Sequence, residues 1–176
     1  VIVDNFPELG RLTALRFIEW IQDNPDGLVA LPTGKTPEYF IKFMTHYLKT
    51  WATKQTQKEL ETHAINPAKK PQMKNLHFVQ IDEFYPIDPA HHNSFNYYVK
   101  KYYMGQMGFD IKKARLIDAT QIGIPKGWNI DSVWGNKTVD LSLRFRHANS
   151  YLESIQKSVL EALDQWCFEY GEKIRA

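Results

Sequence analysis

Short apolar segments alternate with helical patterns along this chain, and this alternation limits the fold more than any other feature of the sequence. Residues 28–31 and 76–81 are largely apolar runs of strand length, as is typical of strands covered on both faces of a sheet. A polar loop and a helical pattern follow each run, which indicates parallel strands joined by helices. The sequence therefore predicts an α/β fold with a three-layer, mainly parallel, Rossmann-like sheet. About three strands can be recognised, fewer than a complete sheet of this kind has, so we expect the sheet to be incomplete.

The spacing of apolar residues predicts the main helices. Residues 7–22 and 149–175 carry apolar side chains at helical intervals over many turns. Another helix is expected to begin at Pro37, because proline is favoured in a first turn, with Thr36 as its N-cap. Residues 50–72 are polar and are predicted to form a surface helix followed by a loop.

The second half of the chain is predicted to contain fewer regular elements. Ser94 is expected to cap a helix that ends near Met104, and residues 116–117 are expected to form a short strand. Residues 120–150 contain several glycines and a proline, and we interpret them as an insertion. A single domain is predicted over residues 1–176.

Composition excludes several classes of function. A net charge of only +2 argues against a nucleic-acid partner, and no apolar run approaches the ~20 residues of a membrane-spanning helix. The single cysteine, Cys167, leaves no intramolecular disulfide and no cysteine pair for a metal. Because apolar residues surround it at helical spacing, Cys167 is predicted to be a buried structural thiol. These features predict a cytoplasmic protein with no nucleic-acid or membrane partner.

A glycine-containing loop follows the first predicted strand. Residues 31–37 read Leu-Pro-Thr-Gly-Lys-Thr-Pro and lead from that strand into a predicted helix. A helix N-terminus presents unpaired backbone N–H groups and the positive end of the helix dipole, which together favour a phosphate. The candidate phosphate-binding residues are Thr33, Gly34, Lys35 and Thr36.

The same loop does not match a nucleotide-binding P-loop, although its Gly-Lys-Thr triplet matches the end of that motif. The motif requires a glycine five positions before Gly34, where this chain has Val29. A plain strand-to-helix turn with a threonine cap is the remaining alternative to phosphate binding.

Two carboxylates follow the second predicted strand. Asp82 and Glu83 come directly after it, where open α/β sheets bind their ligands, and a carboxylate there suits general-base chemistry. Because successive residues of an extended chain point to opposite sides, one of the two is expected to face a cleft and the other to make structural contacts. The nearby His91 and His92 are adjacent in sequence and are not expected to share a metal ion, so no metal site is predicted.

Together these segments resemble the glucosamine-6-phosphate deaminase/isomerase family, which shares its fold with the 6-phosphogluconolactonases. The family carries a Leu-Pro-Thr-Gly-x-Thr-Pro loop after a strand, and residues 31–37 match it. A strand ending in Asp-Glu-Tyr follows, then a leucine and a Ser-Tyr pair that opens a helix; residues 81–84, Ile87 and residues 94–95 match in that order. The helix end at residues 167–175 is a weaker match.

The resemblance implies carbohydrate metabolism and a role for each matched position. The loop would bind the phosphate of an amino-sugar phosphate, with Lys35 standing where the family usually has a small residue. Asp82 and Glu83 form the implied catalytic pair. Asp82 matches the base that moves a proton between C1 and C2 during aldose–ketose isomerisation coupled to deamination, a task that burial of the carboxylate would favour. That chemistry requires no metal and no organic cofactor.

The later motifs of the family have no match in this chain. A Gly-x-Gly-x-Asp-Gly-His segment, which supplies a catalytic histidine, would follow the helix that ends near Arg175. We therefore expect the N-terminal part of a longer domain, truncated at its C-terminal end and without a complete active site. Two alternatives stay open: a sugar-phosphate binding or sensing module without catalysis, and a 6-phosphogluconolactonase-like hydrolase. Sheet edges left open by missing strands favour a homo-oligomer or contact with the missing C-terminal segment.

Overall fold

The computed structural model describes residues 2–135 and 138–175. Its helices are α1 (Phe6–Asp23), α2 (Glu38–Thr50), α3 (Lys54–Thr62), α4 (Phe95–Tyr98), α5 (Ile130–Trp134) and α6 (Tyr151–Arg175), and its strands are β1 (Leu28–Val29), β2 (His77–Val79) and β3 (Ala114–Arg115). A π-helix (Val99–Met107) continues α4, and short 3₁₀ helices cover Met73–Asn75, Ile111–Lys113, Ala119–Gln121 and Leu141–Arg144. No helix in these described ranges combines the length and the apolar character that crossing a membrane requires.

The three strands form one parallel sheet in the order β1–β2–β3. Leu28 pairs with His77 and Val29 with Phe78, and Phe78 pairs in turn with Ala114. Because all three strands point the same way, the segments that follow them lie at the same edge of the sheet. The predicted α/β class with a parallel, Rossmann-like sheet is confirmed.

The described chain divides into two compact units. The first contains the residues up to Glu83 together with Ala90–Ile117, and therefore the whole sheet. The second contains Phe84–Pro89 and the chain from Asp118 onward, and therefore α5 and α6. The region predicted to be an insertion, residues 120–150, lies in the second unit.

In the first unit, α1 and α2 approach each other closely. Asn5 caps α1, because its side-chain oxygen accepts a hydrogen bond from the Glu8 N–H at 2.9 Å. Gly10 lies where α1 meets α2: a Cβ built on it would stand 2.4 Å from the Tyr39 Cβ and 2.8 Å from the Phe40 nitrogen. Only a residue without a side chain fits there, so Gly10 sets the separation of the two helices.

The apolar core of the first unit joins the sheet to its helices. Phe78 of β2 lies at its centre, 1% exposed, with its ring centroid 5.4 Å from that of Tyr103 and 5.5 Å from that of Phe109. The buried cluster consists of Ala14, Leu15, Ile18, Ile21, Val29, Phe40, Ile41, Met44, Tyr47, Trp51, Leu60, Ile65, Met73, Leu76, Phe78, Val99, Tyr103, Met107 and Phe109.

The second unit has a smaller apolar core and several ion pairs. Its buried cluster consists of Val133, Trp134, Leu143, Val159 and Leu160. Arg144 donates two hydrogen bonds to Asp164, and Arg146 binds both Glu153 and Asp140. Although α6 has 25 residues, its buried side chains in the described structure are those of Val159 and Leu160.

Two of these local predictions are wrong. The third strand is Ala114–Arg115, not residues 116–117. Cys167 is exposed instead of buried, because helical spacing identifies an apolar face but not whether another element covers it. Residues 120–150, interpreted from the sequence as an insertion, contain the short helix α5, in which Asn129 and Ser132 form a reciprocal capping box.

Candidate functional site

The predicted phosphate loop and the predicted acidic pair follow neighbouring strands. Residues 30–36 come after β1 and residues 80–83 after β2, and β1 and β2 are paired in parallel. Both segments therefore lie at the same edge of the sheet, as the sequence predicts. Within the described residues, no hydrogen bond or ion pair joins residues 33–36 to Asp82.

A buried tyrosine holds the base of the phosphate loop. The hydroxyl of Tyr103, in the π-helix, donates a hydrogen bond to the carbonyl oxygen of Pro32. Burial raises the pKa of Tyr103 far above its usual value, so this hydroxyl remains a donor at all ordinary pH values. π-Helical segments are rare, and they are frequent at functional sites.

The tip of the loop is open. Gly34 has φ of +81°, a left-handed conformation that favours glycine, and the space beside its Cα is empty. The side chains of Lys35 and Thr36 are exposed, whereas Thr33 is half-buried. The loop therefore has a fixed base and a tip at which backbone and side chains are accessible to a ligand.

Thr36 is not the N-cap of α2, so that prediction is wrong. The Glu38 N–H donates to the Lys35 carbonyl oxygen at 3.2 Å and closes a turn before the helix begins. Pro37 occupies the N-cap position and makes no side-chain hydrogen bond to the first turn. Thr36 lies within the turn, where its hydroxyl does not serve the helix.

Of the two adjacent carboxylates, Glu83 has the structural contacts. Its Oε2 accepts hydrogen bonds from the Ser94 hydroxyl at 2.7 Å and the Asn96 N–H at 2.8 Å, and its Oε1 accepts one from the Phe95 N–H at 2.9 Å. An anion at this position satisfies donors at the beginning of α4. Ser94 also caps α4 as predicted, because its hydroxyl accepts from the Tyr97 N–H at 3.2 Å.

Asp82 is the member of the pair that is left accessible. Its side chain is exposed, and its backbone carbonyl oxygen accepts a hydrogen bond from the Gln80 side chain at 2.8 Å. The sequence predicts that one carboxylate faces a cleft while the other makes structural contacts, and Glu83 has the second role. The catalytic assignments of both residues stay predictions.

Two buried amides, which sequence analysis missed, tie the strand ends together. Gln80 is 1% exposed and accepts a hydrogen bond from the Ile117 N–H at 3.0 Å while donating to the Asp82 carbonyl. Asn96 is 2% exposed and donates to the Ile117 carbonyl oxygen at 2.8 Å. For Gln80 the signal was its position, because a polar residue inside a predicted buried strand needs a partner.

Two clefts open beside the loop, and Lys35 borders both. The first, of about 580 Å³, is lined by Gly34, Lys35, Glu38, Ile41, Lys42, Thr45, Tyr98, Tyr102 and Gln106. The second, of about 810 Å³, is lined by Val3, Asp4, Asn5, Phe6, Pro7, Leu9, Lys35, Thr36 and Tyr39. Asp82 borders neither cleft, and neither cleft is lined by a histidine.

Metal ligation is not indicated by the side chains that the structure describes. Within residues 2–135 and 138–175, no group of three or more histidine, cysteine, aspartate or glutamate side chains is arranged to hold an ion. His91 and His92 lie with their ring centroids 4.4 Å apart, and the His91 Nδ1 accepts a hydrogen bond from the Asn93 N–H.

Comparison with solved structures identifies a related fold. One match is a monomeric glucosamine-6-phosphate deaminase, described as a missing link of the NagB superfamily, with a TM-score of 0.54 and 17% sequence identity. The match covers 69% of this chain and 43% of that chain, so this protein corresponds to less than half of its structural neighbour. No family model and no curated protein sequence matches the chain. At this identity the similarity establishes a shared fold.

Proposed function

We propose that this protein is a glucosamine-6-phosphate deaminase/isomerase-like protein that binds an amino-sugar phosphate. The observation that carries the proposal is the position of residues 33–36 and Asp82 after neighbouring parallel strands, at one edge of a sheet. The structural neighbour supports it, since that protein is a glucosamine-6-phosphate deaminase of similar fold. The oligomeric state, the exact sugar and a cytoplasmic location are further expectations from the sequence.

In this proposal the loop binds the phosphate. The exposed Lys35 ammonium and Thr36 hydroxyl supply donors, and Gly34 allows the ligand to approach the backbone. Tyr103 holds the base of the loop in one position, so little ordering is required when the phosphate binds.

Asp82 is the proposed base. Its carboxylate takes the proton from C2 of the open-chain amino sugar and returns it to C1, which converts the aldose to the ketose level. Water then replaces the nitrogen at C2, and the products are a ketose phosphate and ammonia. Glu83 acts as a positioning residue, because its three hydrogen bonds to residues 94–96 fix the backbone beside Asp82.

A non-catalytic sugar-phosphate binding module is the second candidate. Two observations favour it: Asp82 is exposed and borders neither cleft beside the loop, and no histidine lines those clefts. General-base catalysis is most effective when the site is shielded from water and the pKa of the base is near the working pH.

Calorimetric titration of the 176-residue chain with glucosamine 6-phosphate, accompanied by an ammonia-release assay, tests both candidates. Binding that requires the phosphate, with free glucosamine inactive, supports the proposed ligand. Ammonia release that Asp82→Asn abolishes without loss of binding supports the enzyme, and binding without release supports the module. Absence of phosphate-dependent binding contradicts both.

The loop assignment has its own control. Thr36→Ala should weaken binding of glucosamine 6-phosphate, whereas Lys49→Ala should not, because Lys49 is an exposed lysine in the last turn of α2. Equal affinity of wild type and Thr36→Ala contradicts phosphate binding by the loop.

A further inference from the structure

A third cleft lies entirely within the second unit. Side chains from residues 86–88, 119–124 and 128–130 line it, and all of them belong to that unit. Its volume of about 440 Å³ falls within the roughly 300–1,000 Å³ that is usual for small-molecule sites. Its described lining contains none of residues 33–36 and neither Asp82 nor Glu83, so its chemistry is independent of the candidate site.

The walls of this cleft are mainly apolar. Ala119 and Ile122 are buried, at 6% and 5% exposed. The half-buried apolar residues of the lining are Pro86, Ile87, Ile124, Trp128 and Ile130. The ring of Trp128 packs against that of Tyr151 in α6, with the two centroids 6.1 Å apart. An apolar ring that enters the cleft is removed from water, and this burial favours binding.

The polar side chains of the lining are exposed, and they belong to Asp88, Thr120 and Asn129. The Thr120 hydroxyl donates to the Asp118 Oδ1 at 2.5 Å, so its oxygen is left to accept a further hydrogen bond. The carboxylate of Asp88 is also an acceptor, with room for several hydrogen bonds. Asn129 uses its Oδ1 to cap α5, where it accepts from the Ser132 N–H at 2.8 Å. A ligand group with several donors therefore fits beside Asp88 and Thr120.

The sign of the local charge favours a cation. Among the described residues of the lining, Asp88 is the only one that carries a charge. The segments that build the cleft, residues 84–89 and 118–131, contain three aspartates, one lysine and no other charged residue. The potential of such a surface attracts positive ligands and repels negative ones. The donor group is therefore an ammonium, which has three N–H donors and no acceptor.

We propose that this cleft binds a small primary ammonium compound with an apolar ring, of the arylalkylamine class. The ammonium donates to the Asp88 carboxylate and the Thr120 hydroxyl oxygen, and the ring packs against Ile122 and Trp128. Such a ligand differs from an amino-sugar phosphate in two respects, since it carries no anionic group and its ring has no hydroxyl groups. The site therefore goes beyond the proposed function and does not depend on it.

Chemical-shift mapping of the ¹⁵N-labelled chain during titration with 2-phenylethylamine tests this proposal. We expect a dissociation constant of about 1 mM or tighter, which is reasonable for a ligand of this size, and shifts of the amide signals of residues 119–124 and 128–130. Three control compounds each change one property of the ligand: 2-phenylethanol is neutral, phenylacetate is an anion, and free glucosamine has a polar ring. Each should bind at least about threefold more weakly than 2-phenylethylamine.

Substitutions of aspartate test the contact with the ammonium. Asp88→Asn removes the charge but keeps an oxygen that accepts hydrogen bonds, so the variant should fold as wild type does. Its affinity for 2-phenylethylamine should fall about threefold to tenfold, as for an ion pair that is partly screened by solvent. Asp131→Asn removes an exposed carboxylate of α5 that does not line the cleft, and it should leave the affinity unchanged.

A second variant tests the other acceptor. Thr120→Val replaces the hydroxyl by a methyl group of similar size and should also lower the affinity for 2-phenylethylamine. The proposal is overturned if 2-phenylethylamine does not bind, or if 2-phenylethanol or glucosamine binds as tightly. It is also overturned if neither Asp88→Asn nor Thr120→Val lowers the affinity more than Asp131→Asn does.

The outcome is distinct from that of the proposed function. Binding of glucosamine 6-phosphate should be the same in wild type and Asp88→Asn, because Asp88 is not one of the predicted site residues. Shifts that 2-phenylethylamine causes only in the first unit would overturn the site in the second unit, whatever the result with glucosamine 6-phosphate.

Discussion

The first unit is held together by a large apolar cluster that joins its sheet to its helices, whereas the apolar cluster of the second unit is much smaller, and both units contain arginine ion pairs. The difference extends to function, because all the predicted site residues, from Thr33 to Glu83, lie in the first unit. The second unit contributes none of them. The larger apolar core and the candidate site therefore belong to the same part of the chain.

The largest effect should come from a cavity in the first core. Phe78→Ala removes a ring that is 1% exposed and contacts two other aromatic rings, so we expect a loss of about 3–5 kcal/mol. In the second unit, Phe168 is 62% exposed, and Phe168→Ala should change stability by no more than about 0.5 kcal/mol. Urea unfolding of both variants, monitored by circular dichroism, measures the two changes in the free energy of unfolding. Similar losses for the two variants would remove the contrast between the units.

Substitution of the two adjacent carboxylates should change stability by different amounts. Glu83→Gln replaces a carboxylate that accepts hydrogen bonds from Ser94, Phe95 and Asn96, among others, and should cost about 1–3 kcal/mol. Asp82→Asn alters an exposed side chain and should cost less than about 0.5 kcal/mol. Thermal unfolding of the two variants provides the measurement. A larger loss for Asp82→Asn than for Glu83→Gln is incompatible with the hydrogen bonds of Glu83.

Replacing two helical glycines by alanine should change the stability of the protein in opposite directions. Gly10→Ala places a Cβ 2.4 Å from the Tyr39 Cβ and should destabilise the first unit by about 1–3 kcal/mol. Gly171, in α6, has no atom within 4 Å of the position that an added methyl group would occupy, and Gly171→Ala should stabilise by roughly 0.5–1 kcal/mol because alanine favours the helix. Chemical unfolding measures both changes. Stabilisation by Gly10→Ala would mean that α1 and α2 are not in close contact.

The smallest effect is a pH dependence in the second unit. Hydrogen bonds from Arg146, followed by the Asn149 N–H, lower the pKa of Glu153 to about 2 from its ordinary value of 4.5. Because the pKa of Glu153 is lower in the folded protein than in the unfolded chain, its ionised carboxylate stabilises the folded state above pH 4.5. This stabilisation is lost as the pH falls toward 2. Melting temperatures measured from about pH 6 to about pH 2 should fall less steeply for Glu153→Gln than for wild type.

A matched control for this pH dependence is Glu161→Gln. Glu161 is exposed on α6 and has no ion pair among the described residues, so its variant should follow the wild-type acid profile. Identical profiles for Glu153→Gln and wild type would show that the ion pair does not stabilise the second unit.

Sequence patterns predict the elements whose signal is local. The amphipathic repeats of α1 and α6 extend over many turns, and both helices form close to the predicted limits. Ser94 caps α4, since a serine before a helical pattern provides its own hydrogen bond. Thr36 also precedes a helical pattern, as Ser94 does. The hydrogen bond between the Glu38 N–H and the Lys35 carbonyl oxygen, however, closes a turn before the helix, so Thr36 does not occupy the N-cap position.

The remaining features depend on contacts between distant parts of the chain. Gln80 binds the backbone of Ile117, and the Tyr103 hydroxyl binds Pro32 across a long sequence separation. The π-helix has no pattern that distinguishes it from an α-helix in the sequence. The exposure of Cys167 was missed for a related reason, since periodicity does not identify the partner of an apolar face.

Chemical-shift mapping of the ¹⁵N-labelled chain during titration with glucosamine 6-phosphate is the most direct test of where the ligand binds. We expect the amide signals of residues 33–36 and Asp82 to move, those of α6 to stay unchanged, and free glucosamine to cause no such change. Shifts confined to the second unit, or no shifts at all, would contradict the assignment of the ligand site to the first unit.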